Sequence, residues 1–511
     1  MKLPLSPTVF PKRLLPLLLA VITLGLFLHV SRSWDAAPAW LRSQSGGINT
    51  TKLALQTEDY LEQVIRDNGL THKVEWAAWQ IKPTQTLPRW DSLTSLRQPF
   101  QPRGVQVFDL DEPVGKSPLS TGAFNTLELP APRGAMPGEF DASEYLFGVS
   151  TTYERLMENE RAIVKGWQWW LTNGNQTTNG AHIIVILDHA SHEQIFLVES
   201  LLKSLDIAAS VYKTDETLSS ATRYIQMTRE LRAFSSALSA AGLYKKWFSL
   251  IDDSVFFPNM DYLGQRLSAY DSEKPVYIGL PSEADDWEED AGALSTHGGG
   301  AVMLSRPALN KFLNVSCAEP SASEAPYHSQ RWGKLLHECL TTKGGMKMNV
   351  LPGLYSPRLD RKTNDVNLYE AGGRPLALHS RTTWRDFTKA YLVADECGEA
   401  CFMQRYLFSD GWVLVNGVSI TQYQRQVRLE TGQRQMTGLS EELVYDDVES
   451  ERVHLMEGGE RNVWRLLDAY LDESGVAWQA YVKKAQRGED SESGAKMEVD
   501  SVILFIWNAG K

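Results

Sequence analysis

The stretch Trp247-Phe248-Ser249-Leu250-Ile251-Asp252-Asp253-Ser254-Val255-Phe256-Phe257-Pro258 decides how the chain is read. Its first five residues are apolar or small and contain no turn former, the pattern of a strand buried on both faces. Two acids follow at once. Carboxylates at the end of a buried strand are costly unless they meet a cation, and in an open α/β sheet ligands gather at the carboxyl ends of strands. Side chains two apart share a face of a strand, so Asp252 and Ser254 point together and Asp253 points away. Adjacent acids of this kind make a poor glycosidase pair, whose members flank a sugar about 5 Å or more apart. They suit a divalent metal that is held by oxygen and itself holds a nucleotide diphosphate. From spacing alone a capped, solvated strand end is the plain alternative.

Working outward, strands alternate with helices on the amino-terminal side. The pattern gives a strand over 145–150 (YLFGVS), a helix over 153–171, a strand over 182–187 (HIIVIL), a helix over 193–205, a short strand over 208–212 and a helix over 221–241. On the other side come a helix over 261–270, a strand over 275–280, an acidic loop over 283–290, the run His297-Gly298-Gly299-Gly300 and a helix from about Arg306. Such alternation argues for a mostly parallel sheet wrapped by helices. Trp167, Trp169 and Trp170 at helical spacing read as core rather than as sugar-stacking groups. Beyond 390 the texture changes. Residues 412–415 and 418–422 around Asn416-Gly417 predict a hairpin with a type I′ turn, and 501–507 is a last strand.

The whole chain has 511 residues, 43% of them hydrophobic, with 51 Lys plus Arg against 63 Asp plus Glu and a net charge of −12. That sign disfavours a nucleic acid partner. Residues 14–30, LLPLLLAVITLGLFLHV, carry no charge and follow Lys12-Arg13. This run is long enough for one membrane helix, and the flanking charge places the amino terminus in the cytosol and the rest in the lumen. A cleaved signal peptide is the alternative. Sequons at Asn49, Asn175 and Asn314 agree with export. The even set Cys317, Cys339, Cys397 and Cys401 favours two disulfides in an oxidising lumen, pairing 317 with 339 and 397 with 401, over a four-thiolate zinc site. The expected division is a cytosolic tail (1–13), an anchor (14–30), a Pro-rich stem (31–140) with one short helix near 57–68, an α/β domain (141–390) and a β-rich extension (391–511).

Other residues carry weaker signals. Gly298, Gly299 and Gly300 permit close backbone approach to a ligand, or form a tight turn. His379 reads as a metal ligand or as a polar strand end. Asp188, His189 and His192 read as a solvated loop, and the acidic stretch 283–290 as a flexible loop that could offer a catalytic base.

Taken together, the motifs resemble the Fringe-like branch of the β-1,3-glycosyltransferases, closest to its filamentous-fungal group. Phe147-Gly148-Val149-Ser150-Thr151-Thr152 with Arg155 resembles the family's first strand and donor-binding turn. The stretch 247–258 resembles its metal-binding strand end, and Tyr277-Ile278-Gly279 with Ser282-Glu283 resembles the strand and loop that follow. Gly298-Gly299-Gly300-Ala301 with Leu304-Ser305 resembles the segment lining the site. Pro375-Leu376-Ala377-Leu378-His379 resembles the motif whose histidine helps hold manganese. Cys397-Gly398-Glu399-Ala400-Cys401-Phe402 with Trp412-Val413-Leu414 and Asn416-Gly417 resembles the fungal carboxyl-terminal extension.

The resemblance implies a GT-A fold, a Rossmann-like mixed sheet with flanking helices, and inverting transfer from a UDP-sugar to a glycan or glycoprotein hydroxyl in the Golgi lumen. It implies Mn2+ on Asp252, Asp253 and His379, with Ser150, Thr151, Arg155, Asp252, Gly299 and Gly300 on the donor. Two positions depart from the family. Its third acid is here Ser254, and where a Gly-Asp pair carries the base, Gly333 is followed by Lys334. Glu338, or Glu289 of the acidic loop, would then have to act as base. The competing reading is a weak or inactive relative that binds nucleotide or glycan in the lumen.

Overall fold

The computed structural model describes residues 50–91, 93–102, 104–112, 124–173, 177–214, 218–281, 286–290, 293–315, 332–351, 374–379, 387–423, 428–432, 443–445, 452–456, 461–485 and 499–507. The apolar run 14–30, Asn49, Asn175 and Cys317 lie outside the described residues. Among the described residues no helix is long and apolar enough to cross a membrane.

An eight-stranded sheet carries the motifs. Its strands are β1 (Tyr145–Thr152), β2 (His182–Asp188), β3 (Ala209–Lys213), β4 (Trp247–Ile251), β5 (Tyr277–Gly279), β6 (Ala301–Ser305), β7 (Met348–Val350) and β8 (Leu443–Tyr445), in the order β8-β7-β5-β6-β4-β1-β2-β3. All neighbours pair in parallel except β6, which runs antiparallel to both β4 and β5. The alternation of strand residues explains the continuous apolar runs. Phe147, Val149, Ile183 and Val185 enter one core while Leu146, Ile184, Ile186, Phe248 and Leu250 enter another, so both faces are covered. The second core is closed by the helices Ser220–Ala240, Arg306–Leu313 and Trp332–Glu338. Trp167 and Trp170 are buried in the first, as read from their spacing.

The helix expected over 153–171 is broken. Asn159, Glu160 and Arg161 all take left-handed backbone, separating a short helix Tyr153–Met157 from Ala162–Leu171.

Residues 50–140 differ from the extended stem expected of them. Helix Thr50–Asn68 packs on a ten-stranded sheet in which strand Lys73–Leu87 pairs in parallel with both Asp500–Trp507 and Phe124–Pro132. Pro83 is tolerated because the pairing with 500–507 ends at Ile81, leaving that side of the strand an edge. Val74, Trp76 and Ala78 face the helix, while Trp79 and Ile81 join the core shared with the eight-stranded sheet. The strands 405–407, 412–415, 419–423, 461–471 and 477–483 complete this sheet.

The hairpin at 412–423 is present, but its turn is not type I′, which needs left-handed backbone at two central residues. Only Gly417 has it, with φ +77°, and the connection is three residues long. Asn416 is instead buried and donates its amide to the Cys401 carbonyl. Cys397 and Cys401 form a disulfide and Cys339 is disulfide-bonded, which removes the four-thiolate zinc reading. Asn314 is exposed at the end of helix Arg306–Leu313.

Candidate active site

The carboxyl ends of β1, β2, β4 and β5 and the amino end of antiparallel β6 share one edge of the sheet, and the motif residues gather there. Asp252 leaves β4 with its N–H donated to the Gly300 carbonyl at 2.8 Å. Its carboxylate accepts the Trp332 indole N–H at 2.6 Å. Asp253 accepts the Thr151 hydroxyl at 2.6 Å, and the same oxygen lies 3.4 Å from the Arg155 guanidinium. The two acids therefore face different neighbours, although both lie in the turn past the end of β4, where strand alternation no longer applies. Ser254 is buried and its hydroxyl has no hydrogen-bond partner.

His379 arrives from far along the chain. Strand Leu378–His379 pairs antiparallel with Val255–Phe256 and sets His379 opposite Val255, two residues past Asp253. Its side chain lies outside the described residues, so the structure gives the backbone juxtaposition alone.

The donor-side residues Ser150, Thr151 and Arg155 sit at the end of β1 and the start of the next helix. Ser150 accepts the Arg223 guanidinium at 2.8 Å, and Arg223 pairs with Asp188 at 2.8 Å. Asp188 is thus tied into the sheet edge and is not the solvated loop residue its sequence suggested, whereas His189 and His192 are exposed. Tyr224 donates to the Ile251 carbonyl at 2.5 Å, accepts the Ser150 N–H at 3.4 Å and stacks on Trp332 with ring centroids 4.2 Å apart. Burial first, and the nearby Asp252 second, hold its phenol well above the ordinary tyrosine range, so it serves as a fixed donor.

Gly298 and Gly299 have φ +94° and +62°, and a side chain on Gly299 would strike the Asp286 carboxylate 2.5 Å away. The glycines thus make a tight turn that seats the acidic segment against the site. His297, just before them, lies 3.3 Å from Glu288, and Lys334 lies 4.0 Å from the same carboxylate oxygen. Burial lowers the His297 pKa, with Glu288 opposing.

Of the two expected bases, Glu338 is exposed at the far end of helix Trp332–Glu338, and the Glu289 side chain lies outside the described residues. Arg223, Tyr224 and Trp332 were not singled out from sequence, while Glu288 was covered only as one acid of the stretch 283–290 and His297 only as the start of the glycine run. The one signal for Arg223 and Tyr224 is their place in the first turn of a helix that follows a strand.

Residues 193–332 match the Fringe-like family model. This span is Fringe-like. It opens in the helix after β2, contains the Asp252-Asp253 strand end and the glycine turn, and closes on Trp332. The match agrees with the motif resemblance over these residues. No curated protein matches. Among solved structures, a nucleoside-diphosphate-sugar pyrophosphorylase from Vibrio cholerae is 13% identical, over 41% of this chain and 92% of its own, with a TM-score of 0.27. A mannosyltransferase from Pyrobaculum calidifontis, in complex with GDP-Man and Mn2+, is 11% identical over 44% and 58%, with a TM-score of 0.26. A glycosyltransferase involved in glycosylation of the major capsid of PBCV-1 is 12% identical over 47% and 94%, with a TM-score of 0.25. At these scores the three likenesses carry no functional argument.

Proposed function

We propose that the protein is a metal-dependent GT-A glycosyltransferase that moves a sugar from a UDP-sugar to a glycan or glycoprotein hydroxyl with inversion. In this reading residues 14–30 anchor it as a type II protein of the Golgi membrane. One observation carries the proposal: the pairing of Leu378–His379 with Val255–Phe256 brings an imidazole-bearing residue beside two acids at the lip of the sheet.

The donor set fits a hard divalent cation such as Mn2+, since Asp252 and Asp253 offer carboxylate oxygens and Ser254 adds an orphaned buried hydroxyl. Bound there, the ion would neutralise charge on the departing diphosphate. Thr151 and Arg155 orient the Asp253 carboxylate, and Trp332 orients that of Asp252. Arg223, held by Asp188, fixes Ser150 at the end of β1. Calorimetry of UDP binding with and without Mn2+ tests this: metal-linked binding is expected, and its absence removes the enzyme reading.

Lys334 supports a second reading. An ammonium stands where the family carries its base, which favours a nucleotide- or glycan-binding relative without turnover. Turnover of UDP-sugars by Ser254→Asp and Lys334→Asp variants, with none by the natural chain, would establish the binder.

A further inference from the structure

We propose that Glu288 is the general base of the transfer and that His297 positions it. This rests on the glycosyltransferase reading above and adds the residue that the Gly333-Lys334 departure leaves unassigned.

The segment 332–334 links Asp252 to the Glu288 side chain. Trp332 donates to Asp252, and its next neighbour Gly333 packs so closely on the His297 carbonyl that an added Cβ would lie 3.2 Å from it. Lys334 then reaches the Glu288 carboxylate from one side while His297 meets it from the other. Glu288 sits in the short hairpin formed by strands Trp287–Asp290 and Ala293–Thr296, directly opposite Ser295. Among the described side chains of the acidic segment, Glu288 is the one that meets both His297 and Lys334.

Exposure fits the two roles. The Glu288 side chain is 52% exposed and can meet an incoming hydroxyl, while His297 is 19% exposed and packed beneath it. Among the described residues, Lys334 and Glu338 also act electrostatically on His297. In the step, the acceptor O–H proton passes to a Glu288 carboxylate oxygen as the acceptor oxygen bonds to the sugar C1. The C1–O bond to the diphosphate breaks, and its electron pair leaves with UDP.

The test uses the full chain with Mn2+, a panel of UDP-sugars and a panel of oligosaccharide acceptors, reading UDP release and product mass. Glu288→Gln is expected to lower kcat by about 100-fold or more with UDP affinity and melting temperature unchanged, and formate to restore part of the turnover in Glu288→Ala. His297→Ala is expected to lower kcat by about tenfold at constant KM, with His297→Gln, which keeps an N–H near the same place, retaining most of it. Glu288→Gln within about threefold of the natural kcat, or no rescue by formate, overturns the assignment. A natural chain that binds UDP with Mn2+ yet turns over no donor also overturns it while leaving the nucleotide site standing. Absence of both binding and turnover removes the glycosyltransferase reading itself.

Discussion

Asp252 and Asp253 are consecutive, yet opposite parts of the molecule hold them, and that division makes each testable alone. Trp332→Phe keeps the ring on Tyr224 and deletes one N–H to Asp252. Removing such a supporting donor typically weakens a metal site by about 10–100-fold, so Mn2+-linked UDP binding is expected to fall by about tenfold in titration calorimetry. Asp253→Asn, which removes a carboxylate from the proposed ligand set, is expected to abolish the Mn2+-dependent part of UDP binding while the metal-free part stays. Equal binding by the variant in Mn2+ and in chelator is the expected reading. The acids were legible because a buried strand running straight into two carboxylates is a local pattern. Trp332 and Arg223 were not, because each reaches the site only through packing of a helix whose own sequence shows no motif signal for it, and Glu288 was legible only as one acid of the stretch 283–290.

Among the elements, the turn Glu399–Cys401 carries the clearest electrostatic load. Glu399 is buried within it, and burial pushes its carboxyl up to about 8, against backbone N–H groups of Asp261 and Gly138 and the charge of Arg374. A carboxyl whose pKa is raised on folding stabilises the protein below its ordinary value near 4.5, and that contribution is lost as pH rises through about 8. Stability is therefore expected to fall between pH 5 and pH 8, with Glu399 accounting for on the order of 4 kcal/mol. Melting curves at the two pH values should show the drop in the natural chain and a smaller one in Glu399→Gln. The residues from Cys397 to Phe402 were legible as a cysteine-bearing motif, but the burial of Glu399 was not, since nothing in the local sequence announces it. In contrast, most strands and helices between 145 and 313 could be read almost to their ends, because alternation and helical periodicity are properties of adjacent residues, whereas the hairpin Trp287–Asp290 with Ala293–Thr296 stands where the sequence suggested a loop. The break at Asn159–Arg161 escaped that reading because left-handed backbone there falls on residues other than glycine.

At the scale of the whole molecule, the partner of a strand decides whether its segment is a spacer or a wall. Residues 73–87 look like a Pro-interrupted linker when read alone, and their pairing partner 500–507 lies more than four hundred residues away. Parallel pairing at that separation leaves no trace in neighbouring sequence. A chain starting at residue 141 would lose the strands Lys73–Leu87 and Phe124–Pro132 together with helix Thr50–Asn68. Val502, Leu504 and Ile506 would then lie bare on a sheet with an open edge. At roughly 2–3 kcal/mol for each large buried side chain, Val74, Trp76, Trp79 and Ile81 alone represent on the order of 10 kcal/mol, about the size of a typical folding margin. The chain from 141 is therefore expected to be insoluble or to melt without a cooperative transition. A chain from residue 50 is expected to melt cooperatively and to bind UDP with the same Mn2+ dependence as the full protein. Cooperative unfolding and metal-linked binding in the shorter chain would mean that the ten-stranded sheet is dispensable and that the amino-terminal segment is a tether after all.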